Sequence, residues 1–170
     1  VLAKKHNLKI LTTDSLEYPQ NLKFIYDPPI ILYIKGKLLP EDNLGMAIVG
    51  SRRASFYGLT SAEKFAADLA ASGFTTISGM ARGIDTSAHQ GALKSGGRTI
   101  AVIGSGLGNI YPQENKGLVE EIAVQGAVIS EFPPEFPAFP GNFPARNRII
   151  SGLSLGTLVT EATEDSGSLI

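Results

Sequence analysis

The stretch that decides the fold is Met46-Ala47-Ile48-Val49-Gly50-Ser51-Arg52-Arg53. It is an apolar run of strand length that ends in a glycine and two arginines, and a helical pattern follows at about residues 60–72. Similar apolar runs recur near residues 75–78, 99–103, 127–130 and 156–160, with helical patterns at about 85–95, 114–125 and 146–153. Apolar strands separated by helices predict a parallel sheet buried on both faces, with right-handed crossovers. We therefore expect an α/β protein with a doubly wound, mostly parallel sheet and helices on both faces.

The first part of the chain has a different character. Residues 1–43 contain six of the nine lysines and several proline-rich turns, and one apolar run, Ile30 to Ile34, is closed by Gly36. We expect an extended N-terminal lead-in over residues 1–43 with one docked strand, followed by the main domain over residues 44–170. The chain starts without Met and ends in mid-pattern, so we expect a fragment whose main domain is truncated at the C-terminal end.

Composition excludes several classes of function. The chain has 170 residues, a formal net charge of -1 and no cysteine, which fits a cytoplasmic protein without disulfides or thiolate chemistry. His6 and His89 are far apart and give no zinc-ligand spacing, so we expect neither a metal nor a cofactor. No apolar run approaches the ~20 residues that span a bilayer, so we expect no membrane association.

The arginines are placed differently from the lysines. Five of the six arginines lie in three short loops that each follow a strand-like or Gly-rich segment, and no lysine lies in these loops. Arginine offers a planar fork of donors that fits a phosphate and can lie flat against a base. In doubly wound sheets such loops reach the edge at which ligands bind. The arrangement predicts a polyanion site that is locally basic within a mildly acidic body.

The first arginine loop is Gly50-Ser51-Arg52-Arg53. Gly50 permits a tight turn and close approach to a ligand, and Ser51 with the following amides can donate to phosphate oxygens. An ordinary turn with two solvated arginines is the alternative. The glycine spacing of the G-x-G-x-x-G dinucleotide fingerprint is missing, which argues against NAD binding.

The second arginine loop places Arg82 between Gly79 and Gly83, just before a helix. We expect Asp85 to cap that helix, so that amide donors, the helix dipole and Arg82 converge on an anion. His89, four residues after Asp85, is interpreted as a packed or hydrogen-bonded helix residue rather than a base.

A third Gly-rich turn spans residues 104–108. It lacks the lysine and hydroxyl of the Walker pattern, and Tyr111-Pro112 interrupts the chain before the next helix, so NTP hydrolysis is not predicted. A close crossing of two backbone segments is the other interpretation of this turn.

The segment from Phe132 to Arg148 is rich in proline and phenylalanine. We expect it to present a group of polar, aromatic and basic residues together, namely Asn142, Phe143, Arg146, Asn147 and Arg148. Rings interleaved with arginines suit single-stranded nucleic acid, because bases stack on the rings while phosphates are neutralised. Phe143 is the candidate stacking platform, and the other phenylalanines are expected to cover the core. We also expect the guanidiniums of Arg52, Arg82, Arg146 and Arg148 to form one phosphate-binding cluster.

The ordered set of motifs resembles the bacterial DNA-processing protein A family, also called Smf. The matching segments are Gly50-Ser51-Arg52-Arg53, Ser78 to Asp85 with Ala88-His89, Tyr111-Pro112 with Asn115, Ser130-Glu131, Phe143 to Ser154, Glu161-Ala162, and Ser166 to Leu169. The resemblance implies a Rossmann-like domain that binds single-stranded DNA, protects incoming strands during natural transformation and loads the RecA recombinase. It further implies a homodimer that is not an enzyme. Its implied DNA pocket comprises Gly50, Ser51, Arg52, Arg53, Gly79, Arg82, Gly83, Asn142, Phe143, Arg146, Asn147 and Arg148.

One departure and one rival accompany this resemblance. Asp165 stands where a basic residue is expected before Ser166, which weakens a phosphate contact at that turn. The run from Gly156 to Glu161 also loosely resembles the nucleotide phosphoribohydrolases of the lysine-decarboxylase-like group. In that alternative an exposed Glu161 beside Arg146 helps to cleave an N-glycosidic bond, although the Pro-Gly-Gly that precedes the turn in that group is absent.

Overall fold

A seven-stranded sheet forms the centre of the protein in the computed structural model, which describes residues 2–164 and 166–169. The strands are β1 (Lys9–Thr12), β2 (Ile31–Gly36), β3 (Gly45–Gly50), β4 (Thr75–Ser78), β5 (Thr99–Val102), β6 (Ala127–Ser130) and β7 (Gly156–Glu161). The α-helices are α1 (Leu2–Lys5), α2 (Phe56–Ala71), α3 (Ile84–Lys94), α4 (Lys116–Gln125) and α5 (Asn142–Leu153). Short 3-10 turns lie at Asn21–Phe24, Pro40–Asn43, Gln113–Asn115 and Gly167–Leu169.

The strand order is β1-β2-β6-β5-β4-β3-β7. Strands β3 to β7 pair in parallel, whereas β1 and β2 add an antiparallel margin next to β6. The chain runs from β3 to β6 in one direction and then crosses to the other side of β3 to form β7. This order confirms the predicted α/β sheet, and it puts the reversal of strand order between β3 and β7.

Alternate side chains of the parallel strands supply two separate cores. Ala47, Ile77 and Val102 pack on one face with α5 and the lead-in. Ile48 and Ala101 point to the other face, where α2, α3 and α4 cover the sheet. This alternation follows from the two-residue period of a strand, and apolar burial on both faces explains why the strands are apolar throughout.

The lead-in contributes more to the sheet than its sequence predicts. The expected strand is present as β2, but β1 forms a second one and pairs with β2. Only Leu11 of β1 is buried, because β1 is an edge strand, so its sequence lacks the apolar run that marks the others. The buried Tyr18 hydroxyl donates to the carbonyl oxygen of Pro29 at 2.7 Å, and Arg98 binds Asp42 through Nε and Nη2 at 2.8 Å each. The division of the chain into domains at residue 43 stays a prediction.

Two helices begin earlier than the sequence predicts. Helix α2 starts at Phe56 rather than near residue 60, because the Ser55 hydroxyl caps it by accepting a hydrogen bond from the Gly58 amide at 3.1 Å. Helix α5 starts at Asn142 rather than near Arg146, so the end of the proline-rich segment is helical. Within the described residues, no helix is long and apolar enough to cross a membrane.

Helices α2 and α3 are in close contact at Gly91, so a substitution at this glycine tests their packing. A Cβ on Gly91 of α3 would lie 2.2 Å from the carbonyl oxygen of Glu63. We expect Gly91→Ala to lower the free energy of unfolding by ~1–3 kcal/mol, as overpacking does. Thermal unfolding should show a Tm lower by roughly 2–12 °C, given about 2–4 °C per kcal/mol for a chain of this size.

Gly117→Ala in α4 is the matched control, since nothing lies within 4 Å of its Cβ position. That substitution should raise stability by roughly 0.5–1 kcal/mol, because glycine is the poorer helix residue. A Gly91→Ala variant as stable as Gly117→Ala would contradict the close helix contact.

Candidate nucleic-acid interface

The carboxyl ends of the parallel strands share one edge of the sheet, and the loops after β3, β4 and β5 lie there. At the point where the strand order reverses, the Ser51 amide donates to the carbonyl oxygen of Glu161 at 2.7 Å. Ligands of doubly wound sheets bind in the crevice outside such a reversal. A ligand-binding site is therefore expected in the β3–β7 crevice and its neighbouring loops.

Two adjacent aromatic rings with an arginine at each end lie along this edge. The guanidinium carbon of Arg52 lies 5.2 Å from the centre of the Phe143 ring, and that of Arg82 lies 5.8 Å from the centre of the Tyr111 ring. The two ring centres are 5.7 Å apart, with their planes inclined by 52°. We call Arg52, Phe143, Tyr111 and Arg82 the arginine–aromatic row. Both arginines lie within the range of cation–π attraction to their rings.

Asn142 and the Gly-rich loop hold Phe143 in place. Asn142 Nδ2 donates to the carbonyl oxygens of Gly104 at 2.9 Å and Pro137 at 3.2 Å, which joins the start of α5 to the loop after β5. A Cβ on Gly104 would come within 3.0 Å of the Phe143 ring, and one on Gly106 within 2.0 Å of the Pro133 carbonyl oxygen. The Gly-rich loop therefore acts as a close backbone crossing rather than as a phosphate loop.

Arg82 has a carboxylate partner at the surface. Its Nε donates to Glu114 Oε1 at 2.5 Å, and both side chains are about half exposed. The hydrogen bond to Glu114 raises the pKa of Arg82, and the same bond lowers the pKa of Glu114. Because solvent screens such a pair, it adds little to stability and can open to admit another anion.

Arg146 is buried, although its sequence position predicts an exposed phosphate contact. The residue is 4% exposed, and its Nη1 donates to the carbonyl oxygen of Gly79 at 2.6 Å and to that of Val102. Burial lowers the pKa of Arg146 to about 10, so the side chain remains charged at neutral pH. The guanidinium thus connects α5 to the loop after β4 and to the end of β5.

Asp85 supplies the opposite charge beneath this loop. Its Oδ2 accepts hydrogen bonds from the amides of Gly79 at 3.1 Å and Ala81 at 3.2 Å. Burial raises the pKa of the Asp85 carboxyl, while Arg146 and the two amides act in the other direction. The predicted role of Asp85 as helix cap is wrong, because Gly83 occupies the N-cap position and Asp85 lies inside the first turn of α3.

Arg148 also has a structural role in place of the predicted one. Its two terminal nitrogens bind both carboxylate oxygens of Glu131 at 2.7 and 2.6 Å, and its Nε reaches Asp27 at 3.0 Å. A bidentate pair of this kind fixes the guanidinium in one orientation. Arg148 therefore links α5 to the end of β6 and to the lead-in, and the predicted cluster of four exposed arginines does not form.

The glycines of the two arginine loops pack backbone against backbone. Gly83 has a φ of 74°, which favours glycine, and a Cβ there would lie 2.3 Å from the carbonyl oxygen of Ser51. A Cβ on Gly50 would lie 2.6 Å from the carbonyl oxygen of Glu161, and one on Gly79 would lie 2.3 Å from Arg146 Nη1. These close approaches explain why a side chain is not accommodated at Gly50, Gly79 and Gly83.

The N-termini of α2 and α3, which commonly bind anions, both hold a carboxylate of the chain itself. Glu161 accepts hydrogen bonds from the Ser55 amide at 2.9 Å and the Ser55 hydroxyl at 2.5 Å, and this contact lowers its pKa. Asp85 accepts the amides of Gly79 and Ala81 in the loop before α3. The negative charges of Glu161 and Asp85 oppose a phosphate at these helix termini, so side chains are the better donors to a phosphate on this edge.

The remaining predicted residues are not members of the row. Arg53 is exposed, and its amide donates to the Ser51 hydroxyl at 3.1 Å. Asn147 donates to the carbonyl oxygen of Gly167 at 3.1 Å, away from the rings. Asp165 lies outside the described residues.

His89 is a packed, hydrogen-bonded helix residue, which confirms the interpretation from sequence. It is fully buried, its Nδ1 lies 2.7 Å from the Thr99 hydroxyl, and burial together with Arg146 lowers its pKa to about 3. A neutral imidazole in this position has no access to a substrate. Among residues 2–164 and 166–169 no group of His, Asp or Glu is arranged to hold a metal ion.

Tyr111 and Glu114 are the members of this edge that sequence reasoning misses. The sequence marks Tyr111-Pro112 as an interruption after the third Gly-rich turn and as a segment that matches the family, but it predicts no binding role for Tyr111, which is 41% exposed and contacts Phe143. The usable signal is its position: an aromatic residue shortly after a strand end lies on the same edge as the arginine loops.

Comparison with known proteins identifies the family of this chain. The family model described as DNA recombination-mediator protein A matches residues 9–170. Protein Smf of Synechocystis is 45% identical over 171 residues, covering 98% of this chain and 43% of that protein. The chain spans about half the length of the curated relatives it matches.

Two solved structures share the fold over nearly the whole chain. DNA processing protein A from Streptococcus pneumoniae has a TM-score of 0.88 and 44% identity over 95% of this chain and 57% of its own. The structure of DNA processing protein A from Helicobacter pylori is described for its unique single-stranded DNA binding mode. It has a TM-score of 0.84 and 33% sequence identity to this chain, and the match covers 96% of this chain and 74% of the Helicobacter pylori chain. With a family match over almost all of its length, this chain belongs to the DNA recombination-mediator protein A family, whose relatives include the Smf and DprA proteins.

Proposed function

We propose that this chain binds single-stranded DNA along the arginine–aromatic row. The observation that carries the proposal is this arrangement, in which Arg52 and Arg82 flank the adjacent rings of Phe143 and Tyr111. Single-strand sites combine a positive path for the backbone with rings on which bases stack, and they tolerate any base because each has a π face. The row offers both within one short stretch of surface.

The carboxylates beside the helix termini favour a polymer over a free nucleotide. A mononucleotide gains much of its affinity from helix amides around its phosphate, and here the negative charges of Asp85 and Glu161 lie beside those termini and oppose a phosphate there. A strand that crosses several arginines and rings instead accumulates many weak contacts. The single-stranded DNA binding mode described for the Helicobacter pylori relative supports the same assignment.

The wider role rests on family membership. We propose that the complete protein acts in natural transformation in the cytoplasm, as a homodimer that protects incoming strands and loads the RecA recombinase onto them. Assembly of RecA filaments on single-stranded DNA, measured with and without the protein, tests the loading step. Unchanged assembly would remove that step and leave strand binding intact.

The proposed role includes no chemistry on the DNA. The rival phosphoribohydrolase needs a free Glu161 beside an exposed Arg146, but both Glu161 oxygens are bound by Ser55 and Arg146 is buried. Free base released from nucleoside monophosphates by the purified protein, and abolished in Glu161→Gln, would overturn this part of the proposal.

Salt dependence tests the two exposed arginines. Arg52→Ala and Arg82→Ala should each weaken binding of labelled oligothymidine regardless of sequence, because each removes a cation that neutralises a phosphate. The slope of log affinity against log salt should fall in magnitude by ~0.7 for each phosphate that is no longer neutralised. Lys94→Ala is the control, since Lys94 is an exposed cation paired with Glu63 on another part of the surface. Slopes that match the control in both arginine variants would refute the proposal.

Removal of the rings tests stacking separately from charge. Phe143→Ala and Tyr111→Ala should each lower affinity by roughly ten- to a hundredfold, since one stacked base contributes ~1–3 kcal/mol. The salt slope should stay nearly constant, and Phe143→Trp and Tyr111→Phe should keep most of the binding. Phe139→Ala, a ring that is 53% exposed in the same proline-rich segment, serves as control. If Phe143→Ala lowers the Tm by several degrees without changing affinity, the ring belongs to the core alone.

Arg146 should behave as a structural residue. Arg146→Met leaves the buried Asp85 carboxylate without its opposite charge, which should cost ~3–5 kcal/mol of stability. Loss of Arg146 also raises the pKa of Asp85 further, because Arg146 lowers it in the wild type. A folded-state pKa above the unfolded value adds stability as pH falls through it, so the Tm deficit of the variant should shrink as the pH is lowered from neutral into the acid range.

The double variant Asp85→Asn with Arg146→Met is the control, and its Tm deficit should not vary with pH in this way. A normal Tm with a reduced salt slope in Arg146→Met would instead show that Arg146 contacts the ligand.

A further inference from the structure

The first turn of α2 carries two aromatic side chains that the fold does not use. Phe56 is 85% exposed and Tyr57 is 80% exposed, and they are adjacent in the chain. The residues by which α2 joins the core are farther along the helix and small, with Ala62 and Ala66 fully buried. Large rings in water are a feature of binding surfaces, because they offer area without contributing to the core.

The residues just before this turn provide positive charge. Arg52 and Arg53 precede Phe56 by four and three residues, and both are exposed. Within residues 2–164 and 166–169, neither guanidinium forms a hydrogen bond or an ion pair. The turn therefore combines two exposed rings with two cations that are available to an anion.

Among the described residues, the Glu161 carboxylate at the start of α2 forms no ion pair with Arg52 or Arg53, because it is bound to Ser55. Both oxygens of Glu161 are held by the Ser55 amide and hydroxyl, at the N-terminus of α2. A phosphate is thereby kept away from the helix amides and directed to the arginine side chains. Rings beside arginines, with a fixed carboxylate at the helix terminus, fit a nucleic-acid strand better than an apolar protein surface.

We propose that a single strand longer than the arginine–aromatic row continues across the first turn of α2, with phosphates beside Arg53 and bases stacked on Phe56 and Tyr57. This extension rests on the proposed function and adds a second stacking platform to it. The two platforms are close, since the five residue-to-residue steps from Arg52 to Tyr57 span at most about 18 Å. Arg52 belongs to both, so one strand can pass from the Phe143 ring to the α2 turn without a gap in the positive charge.

Length dependence of binding tests the extension. Oligothymidines of about 4 and about 16 nucleotides, which bracket common single-strand site sizes, are titrated against wild type and the double variant Phe56→Ser with Tyr57→Ser. The variant should bind the long strand about ten- to a hundredfold more weakly and the short strand as well as wild type does. The salt slope should not change, because no cation is removed. A separate variant that exchanges the two rings, Phe56→Tyr with Tyr57→Phe, should bind the long strand about as well as wild type, because both rings remain.

A matched pair of rings elsewhere on the chain controls for the removal of exposed aromatic surface. Phe24→Ser with Tyr26→Ser removes residues that are 86% and 105% exposed in the lead-in, and it should bind both strands normally. All variants should keep the wild-type Tm, since none of these side chains is buried.

Each other outcome has a definite meaning. Equal binding of the long strand by wild type and the Phe56–Tyr57 variant overturns the extension while the proposed function stands. An equal weakening for short and long strands also overturns it, because the rings then act at the row itself. A change in oligomeric state with unchanged DNA binding makes the turn a protein interface and overturns the extension. No binding of either strand by wild type removes the proposed function together with the extension.

Discussion

The guanidinium of Arg146 is buried between α5, the loop after β4 and the end of β5, where it donates to the carbonyl oxygens of Gly79 and Val102. A buried cation is tolerated only with hydrogen bonds and an opposite charge, and Asp85 supplies that charge while it accepts the amides of the same loop. Three elements that are distant in sequence are thereby fixed against one another. Phe143 lies on α5 and Arg82 on the loop, so their spacing depends on this buried contact.

Two internal carboxylates decide what kind of ligand the edge can take. The fold places the N-termini of α2 and α3 where many α/β proteins bind nucleotide phosphates, yet Glu161 on the Ser55 amide and Asp85 on the loop amides before α3 put negative charge there. Phosphates must therefore be met by flexible side chains at the rim. Such contacts are individually weak and exchangeable, as the exposed pair of Arg82 with Glu114 illustrates, because an incoming phosphate only replaces one anion by another. A surface of this kind favours a polymer that makes many contacts over a small molecule that makes few.

Much of the fold can be predicted because the parallel strands are buried on both faces and therefore apolar throughout. The edge strand β1 cannot be predicted in this way, because only its Leu11 faces the core and its sequence has no apolar run. The sequence locates the site at the sheet edge, but it does not separate the individual arginines by role. A usable signal exists for Arg146, which precedes Ile149, Ile150 and Leu153 by three, four and seven residues, the spacing of one buried helix face. The prolines just before Arg146 obscure that signal, because they predict an exposed loop where the structure has the start of α5.

The remaining ambiguity has a chemical origin. The same planar fork of donors suits an arginine to a phosphate, to a carboxylate and to backbone carbonyl oxygens. Arg148 uses it on Glu131 and Arg146 uses it on carbonyls, whereas Arg52 and Arg82 turn it toward rings at the surface. Residue type and loop position alone cannot distinguish these uses, because the choice depends on which acceptors the tertiary fold brings near. Arginine enrichment at a sheet edge therefore locates a site, while burial and the acceptors around each guanidinium identify the residues that remain free to bind a ligand.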